Sequence, residues 1–385
     1  MSTPAPLVND QPNQRLLSID ALRGFDMFWI IRGDTIFRTL AIWFGLPALE
    51  TQLHHCEWNG FRFYDLIFPL FLFIVGIVLP FSLSKYVEQP QGQSDRRAAY
   101  RRIFVRACLL IFLGWVYSGF LQFNFADFRW PGVLQRIGIC YFFGAIAVMN
   151  LRATGQAALL AGLLLGYWVL LLTVPAPGFL PYDLTMEGSL VGYVDRLLIP
   201  GKLHYKFGDN EGVLSTFPAI GNVLMGALAG QWLRSTRTPG KKFIGLFLAS
   251  ILCVAAGYVW SFWFPLNKIL WTSSFVLVTG GCSLALLATF YGLIDVLGYR
   301  RWSFFFVVIG ANAITIYVAQ RFIDFTKISQ FFLGGVAQSL GMALESSYGP
   351  PEVEAAQKFV LAVGVIAAEW LFLWHLYRHK IFLKV

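Results

Sequence analysis

Nearly uninterrupted apolar runs recur along the chain at about 18 to 45, 62 to 84, 103 to 121, 132 to 151, 155 to 175, 213 to 233, 243 to 264, 268 to 296, 302 to 321 and 356 to 377. About 20 apolar residues in a helix span a hydrocarbon layer of ~30 Å, so each run suits one crossing. The pattern predicts an all-α fold, a polytopic membrane protein of about ten transmembrane helices. Residues 1–14 are polar and Pro-bearing. The run after them lacks a short apolar stretch with a small-residue cleavage site, so it reads as a retained helix behind a cytoplasmic tail. With no internal repeat or low-complexity tract, residues 15–385 read as a single transmembrane domain.

Basic residues orient the helices, because cytoplasmic loops retain Lys and Arg. Lys85, Arg96, Arg97, Arg101 and Arg102 follow the second run, Arg152 the fourth, and Arg234, Arg237, Lys241 and Lys242 the sixth. Arg300 and Arg301 follow the eighth, and Arg378, Lys380 and Lys384 the tenth. Every even-numbered run exits into a basic segment, which predicts that both termini are cytoplasmic. The opposite loops, at about 46 to 61, 176 to 212 and 322 to 355, are richer in Trp, Tyr, Pro and Gly and long enough to build an external vestibule.

Composition agrees: 57% of residues are hydrophobic and 13% charged, with a mean hydropathy of +0.62. Soluble domains carry roughly a quarter charged residues. The formal charge of +9 sits between apolar runs rather than along one polar face, so topology accounts for it and no nucleic-acid partner is expected. The five cysteines have no metal-ligand spacing, and all but Cys56 lie inside apolar runs as small packing residues. No metal site is expected.

The first run is charged. It holds Asp20, Arg23, Asp26, Arg32 and Asp34, with Arg38 a turn later. An ion near a bilayer centre costs at least ~2.5 kcal/mol, so such groups face protein or a water-filled cavity. On a continuous helix with Arg23 at zero, Asp34 falls at about 20°, Arg38 and Asp20 near 60° and Asp26 near −60°. Five of the six charges then share one face, and Arg32 points away. An ion-pair ladder, Asp20 with Arg23 and Asp34 with Arg38, is the alternative to a functional site.

Other polar groups gather at the external helix ends. His54 and His55 precede the second run, and a histidine is suited to moving protons in acyl transfer, although a loop histidine is often merely solvated. Trp58 and Tyr64 suit either a site or an interfacial anchor, and Asp65 either caps the second helix or lines a cavity. Gln135 and Arg136 open the fourth helix. Asp209 and Glu211 mark the mouth of the sixth, Asn267 and Lys268 open the eighth, and Asn312 lies mid-span. Capping or snorkelling accounts for each alone. Their recurrence points to a shared polar vestibule.

Several motifs, in order, carry a family resemblance: Ser18-Ile-Asp-Ala-Leu-Arg-Gly, His55-Cys-Glu-Trp-Asn-Gly, Asp65-Leu-Ile-Phe-Pro, Pro131-Gly-Val-Leu-Gln-Arg-Ile-Gly, Glu211-Gly-Val-Leu-Ser-Thr, Asn267-Lys-Ile-Leu-Trp and Arg378-His-Lys-Ile-Phe. The sequence resembles a bacterial member of the heparan-α-glucosaminide N-acetyltransferase family, within the wider group of transmembrane acyltransferases, over nearly all ten runs. The resemblance implies a bacterial inner-membrane enzyme that moves acetyl from cytoplasmic acetyl-CoA to the amine of a glucosamine-type sugar across the bilayer. The expected partners are the amino-sugar acceptor and the lipid bilayer, and a homodimer is allowed for. The family's catalytic histidine, three residues before Trp-Asn-Gly, falls on His55. Its active-site Asn falls on Asp34, a departure in which a carboxylate would orient or charge-pair the histidine.

On this reading His55 and Asp34 are catalytic. The cofactor's phosphates are assigned to Arg23, with Asp20, Arg106, Arg136, Arg378 and Lys380 around them. Trp58, Asn59, Asp65, Gln135, Glu211, Asn267, Lys268 and Asn312 are assigned to the acceptor, Asn59 or Asn267 doubling as oxyanion donor. Along a helix Asp34 lies about 16 Å from Arg23, comparable to the reach of a pantetheine arm. His55 acts as general base or as acyl carrier, and the sequence leaves both routes open. The competing class is a solute transporter using the charged face of the first helix as its pathway. No inverted repeat and no obvious pair of broken helices supports it.

Overall fold

A computed structural model describes residues 16–87 and 95–383. The expected cytoplasmic tail at 1–14 and Lys384 lie outside the described residues. Among those described the fold is all-α. The first apolar run forms α1 (Leu17–Phe28) and α2 (Asp34–Trp43), joined by a widened turn at Trp29–Gly33. Short α3 (Pro47–Gln52) leads to α4 (Ile67–Ser82), entered through a tight turn at Phe63–Leu66, and the single turn α5 (Ser84–Val87). Then come α6 (Arg96–Tyr117), α7 (Val133–Asn150), α8 (Ala153–Thr173), short α9 (Leu190–Leu198), α10 (Thr216–Arg234) and α11 (Pro239–Trp260). The chain closes with α12 (Ser273–Phe290), α13 (Phe304–Ala311), α14 (Ala313–Phe322), α15 (Phe325–Leu344) and α16 (Pro350–Arg378).

Among the described residues, six helical segments are long and apolar enough to cross a membrane: Phe63–Ser82, Val133–Asn150, Ala153–Thr173, Pro239–Trp260, Ser273–Val296 and Pro350–Arg378. A seventh is added if α13 and α14, bent by 69°, count as one broken span rather than a re-entrant pair. The outward face of α11 exposes Ile244, Phe247, Leu248, Ile251 and Leu252. Such a face is stable against hydrocarbon and costly in water. The protein is a multi-pass membrane protein.

Inside, helices approach through glycine. Gly226 and Gly230 of α10 stand one turn apart against α4, and a Cβ on Gly76, Gly226 or Gly230 would strike a backbone carbonyl of the opposing helix. Small residues at this spacing let backbones meet and gain dispersion where hydrocarbon offers no hydrophobic drive. Polar clamps add to it: the Trp271 indole donates to Asn222 Oδ1 at 2.9 Å and Asn222 Nδ2 donates to Thr279 Oγ1 at 3.2 Å, tying α10 to α12. α1 and α13 meet the same way, Gly24 under the Phe306 carbonyl and Gly310 under that of Asp20.

Three expectations change. The first helix is broken, because Arg32 has a left-handed backbone (φ 89°) and Ile31 leaves the helical region (ψ 37°). A left-handed non-glycine residue costs about 1–3 kcal/mol. Helical phase therefore does not carry from Arg23 to Asp34, and the five-charge face does not exist as one stripe. The ninth run bends at Asn312. The segment at 322 to 355, expected as an external loop, is largely α15: Lys327, Gln330 and Gln338 interrupt its apolar run, yet Ser329 Oγ donates to the Leu361 carbonyl at 2.7 Å and Phe325 packs on Phe372, seating it along α16.

Candidate active site

His55 is held from below. Asp65, in the tight turn entering α4, is fully buried, and its Oδ1 accepts from His55 Nδ1 at 2.8 Å. Its Oδ2 accepts the backbone N–H groups of Cys56 (3.2 Å) and Arg62 (3.1 Å), so one carboxylate fastens the loop at three points. The Arg62 guanidinium donates to the His55 carbonyl at 2.8 Å, and the Tyr64 ring lies over the imidazole at 4.7 Å. With Nδ1–H given to Asp65, Nε2 keeps its lone pair for chemistry.

Lys268 comes from the other end of the sequence. Its Nζ lies 2.9 Å from His55 Nδ1, 3.3 Å from Nε2 and 3.5 Å from Asp65 Oδ1. Burial pushes its ammonium below the usual lysine range, against the opposing pull of Asp65. The structure brings it there by a small staple: Asn267 Nδ2 donates to Asn59 Oδ1 at 3.1 Å, Asn267 Oδ1 accepts from the Leu270 N–H at 2.8 Å, and Gly60 N–H donates to the Leu266 carbonyl at 2.8 Å. Asn59 and Asn267 thus hold two loops together rather than lining the cavity beside His55.

That outer cavity, of about 300 Å³, has His55, Tyr64, Lys268, Arg129, Asn210, Glu211 and Tyr317 as polar wall and Met27, Ile30 and Phe68 among its apolar wall. Arg129 is gripped by Asp209, Nε to Oδ2 at 2.8 Å and Nη2 to Oδ1 at 2.6 Å, and also pairs with Glu211. Burial raises the Asp209 carboxyl, but the Arg129 guanidinium outweighs it and holds the group below the usual range. A second, inner cavity of about 310 Å³ carries Arg23, Arg106, Tyr141, Ser82 and Asn312. Phe71 and Ile314 line both, so the two cavities adjoin. Arg23 Nη1 reaches Asp20 Oδ1 and the Gly310 carbonyl at 3.4 and 3.5 Å, and the Arg106 guanidinium lies 4.8 Å over the Tyr141 ring. Two guanidinium groups in a wall that is otherwise uncharged fit an anionic, phosphate-bearing ligand with an uncharged arm.

Of the residues singled out from sequence, His55, Lys268 and Glu211 meet around the outer cavity, with Asp65 beneath, and Arg23, Arg106 and Asn312 meet around the inner one. Asn312 Nδ2 donates to the Ile381 carbonyl at 3.2 Å. Others lie elsewhere. The carboxylate against His55 is Asp65, while Asp34 accepts from the Thr35 hydroxyl at 3.3 Å and lies close enough to Tyr64 for its charge to bear on that ring. The Trp58 indole donates to the Leu184 carbonyl at 3.0 Å, on the outer loop. Gln135 and Arg136 are buried beside neither cavity; Arg136 bonds Ser215 and the Gly212 carbonyl and lies over Trp271. Arg378 stacks on Trp374, and it and Lys380 are exposed beyond the inner cavity. Arg129, Asn210 and Tyr317 were missed: nothing local marks them, and Arg129 gains its meaning from carboxylates 80 and more positions later.

Residues 15–259 match the family described as heparan-alpha-glucosaminide N-acetyltransferase, catalytic. The chain is 26% identical over 369 residues to the human heparan-alpha-glucosaminide N-acetyltransferase, covering 80% of this chain and 53% of the relative, and 26% identical over 377 residues to the mouse protein, covering 83% and 56%. The chain spans about half the length of these curated relatives. The match extends over more than half the chain and includes Arg23, His55, Asp65, Arg106 and Glu211, while Lys268 and Tyr317 lie beyond it; the chain belongs to the heparan-alpha-glucosaminide N-acetyltransferase catalytic family.

Proposed function

We propose that this protein transfers acetyl from acetyl-CoA to the amine of a glucosamine-type acceptor at His55. The observation that carries the reading is the adjoining pair of cavities, one lined by Arg23 and Arg106 and one by His55 and Lys268, with Phe71 and Ile314 in the wall of both. Bound acetyl-CoA supplies an activated acetyl group. Arg23 and Arg106 hold its phosphates in the inner cavity, and the apolar walls around Phe71 exclude water from the arm. His55 Nε2 takes the proton of the amine as its nitrogen bonds to the acetyl carbon and gives it to the leaving sulfur as the C–S bond breaks, Asp65 keeps the imidazole in the required tautomer and steadies its charge, and Lys268 supplies positive charge where the acyl oxygen becomes negative. Glu211 and Arg129 orient the acceptor.

The basic exits of the even-numbered runs support a cytoplasmic inner cavity and an external His55, in a bacterial inner membrane. Ten crossings, with both termini cytoplasmic, follow if α1–α2, α6, α10 and α15 join the six apolar segments and α13–α14 is re-entrant. The direct test is purified protein with radiolabelled acetyl-CoA and a panel of amino and hydroxyl sugars. N-acetylation of an amino sugar is expected, lost in His55→Ala while CoA still raises the melting temperature. Full activity of purified His55→Ala overturns the reading.

A further inference from the structure

A second opening reaches the acceptor end from the side. Between α6, α7 and α10 lies a groove of about 590 Å³ whose walls include Ile111, Ile139, Phe143, Phe217 and Ile220. Its polar end is formed by Gln135, Arg136 and Glu211, and Glu211 also lines the cavity in front of His55. The groove and the outer cavity thus share a wall at one carboxylate.

Arg136 is 1% exposed, and its Nε and Nη1 have no hydrogen-bond partner among the described residues. Buried donors of a guanidinium are costly to leave unmet, so their place at the end of the groove marks where acceptor oxygens belong. The rest of the groove is mostly apolar, and Phe143 and Phe217 stand about half exposed in its wall, on helix faces that a bilayer bathes in hydrocarbon. A water-soluble sugar gains nothing from such a wall. A molecule with a polar head and a hydrocarbon chain matches both ends.

We propose that the acceptor is lipid-linked: its amine-bearing sugar enters the outer cavity at Glu211, the oxygens joining head to chain meet Arg136, and the chain lies in the groove between α7 and α10. This rests on the acetyltransferase reading of His55. The test uses full-length protein in nanodiscs with radiolabelled acetyl-CoA and two acceptors sharing one head, methyl glucosaminide and dodecyl glucosaminide. The dodecyl acceptor is expected to show a kcat/KM at least about tenfold higher, since a few buried methylenes suffice for that. Ile139→Trp and, on a different helix, Ile111→Trp fill the groove, and either is expected to bring the ratio of the two kcat/KM values towards one. Equal values in the wild type, or a ratio that survives in whichever variants fold, overturn the lipid-linked acceptor and leave the acetyltransferase standing; the second result would assign the preference to partition into the bilayer or to ordinary lipid in the groove. Acetylation of neither acceptor overturns the underlying reading as well.

Discussion

Asp65 does for His55 what the sequence assigned to Asp34. It accepts Nδ1–H from full burial while two backbone N–H groups occupy its other oxygen. Replacing it by Asn removes the charge that steadies an imidazolium, so Asp65→Asn is expected to lower kcat by about 100-fold or more, the usual scale of general-base assistance. Asp34→Asn, at a residue that meets Thr35 rather than His55, is expected to cost under about tenfold on the same scale. Radiolabel transfer rates of the two purified variants check the contrast, and equal losses would return Asp34 to the site. The motif around His55 was legible because its residues are adjacent. Its partner on the far side, Lys268, was legible only as a polar residue at a helix mouth, since 213 positions separate it from the imidazole it touches.

At the scale of elements, packing geometry carries the argument. A methyl group at Gly24 or Gly310 collides with a carbonyl of the facing helix, so Gly24→Ala should separate α1 from α13 and cost about 1–3 kcal/mol, read as a lower melting temperature with a weaker CoA-dependent shift. Short α9 has its own lever. Asp195 is buried, accepts the Asp209 and Val213 N–H groups, and burial pushes its carboxyl up to about 6. The folded state therefore holds that proton more tightly than the unfolded chain. The stability this group contributes is present below the unfolded value of about 4 and is lost as the pH rises through about 6. Wild type minus Asp195→Asn melting temperatures are expected to decline from pH 4 to 7, and a flat difference would sink the assignment. Apart from α15, the long helices were legible from apolar run length. The break at Arg32 was not, because left-handed backbone at an arginine is held by surrounding packing and has no local signature.

For the whole molecule, the two cavities matter more as a pair than singly. Phe71 and Ile314 stand where they meet, so Phe71→Trp should close the junction, lowering acetyl transfer by about 100-fold while CoA still raises the melting temperature through Arg23 and Arg106. Retained transfer would show that acetyl does not travel along this axis. The membrane class, the helical fold and the family were legible along the chain, since run length, charge spacing and contiguous motifs are properties of sequence neighbours. The sequence also picked out His55, Asp65, Lys268, Glu211, Arg23 and Arg106 as chemistry in apolar surroundings. Which carboxylate meets the histidine, which polar residues staple loops instead of facing the cavity, that Arg129 lines the cavity beside His55, and that α15 lies along α16 emerged with the folded chain alone. Those outcomes depend on contacts between residues far apart in the chain and on a backbone break that resets helical phase, and neither leaves a periodic trace in sequence.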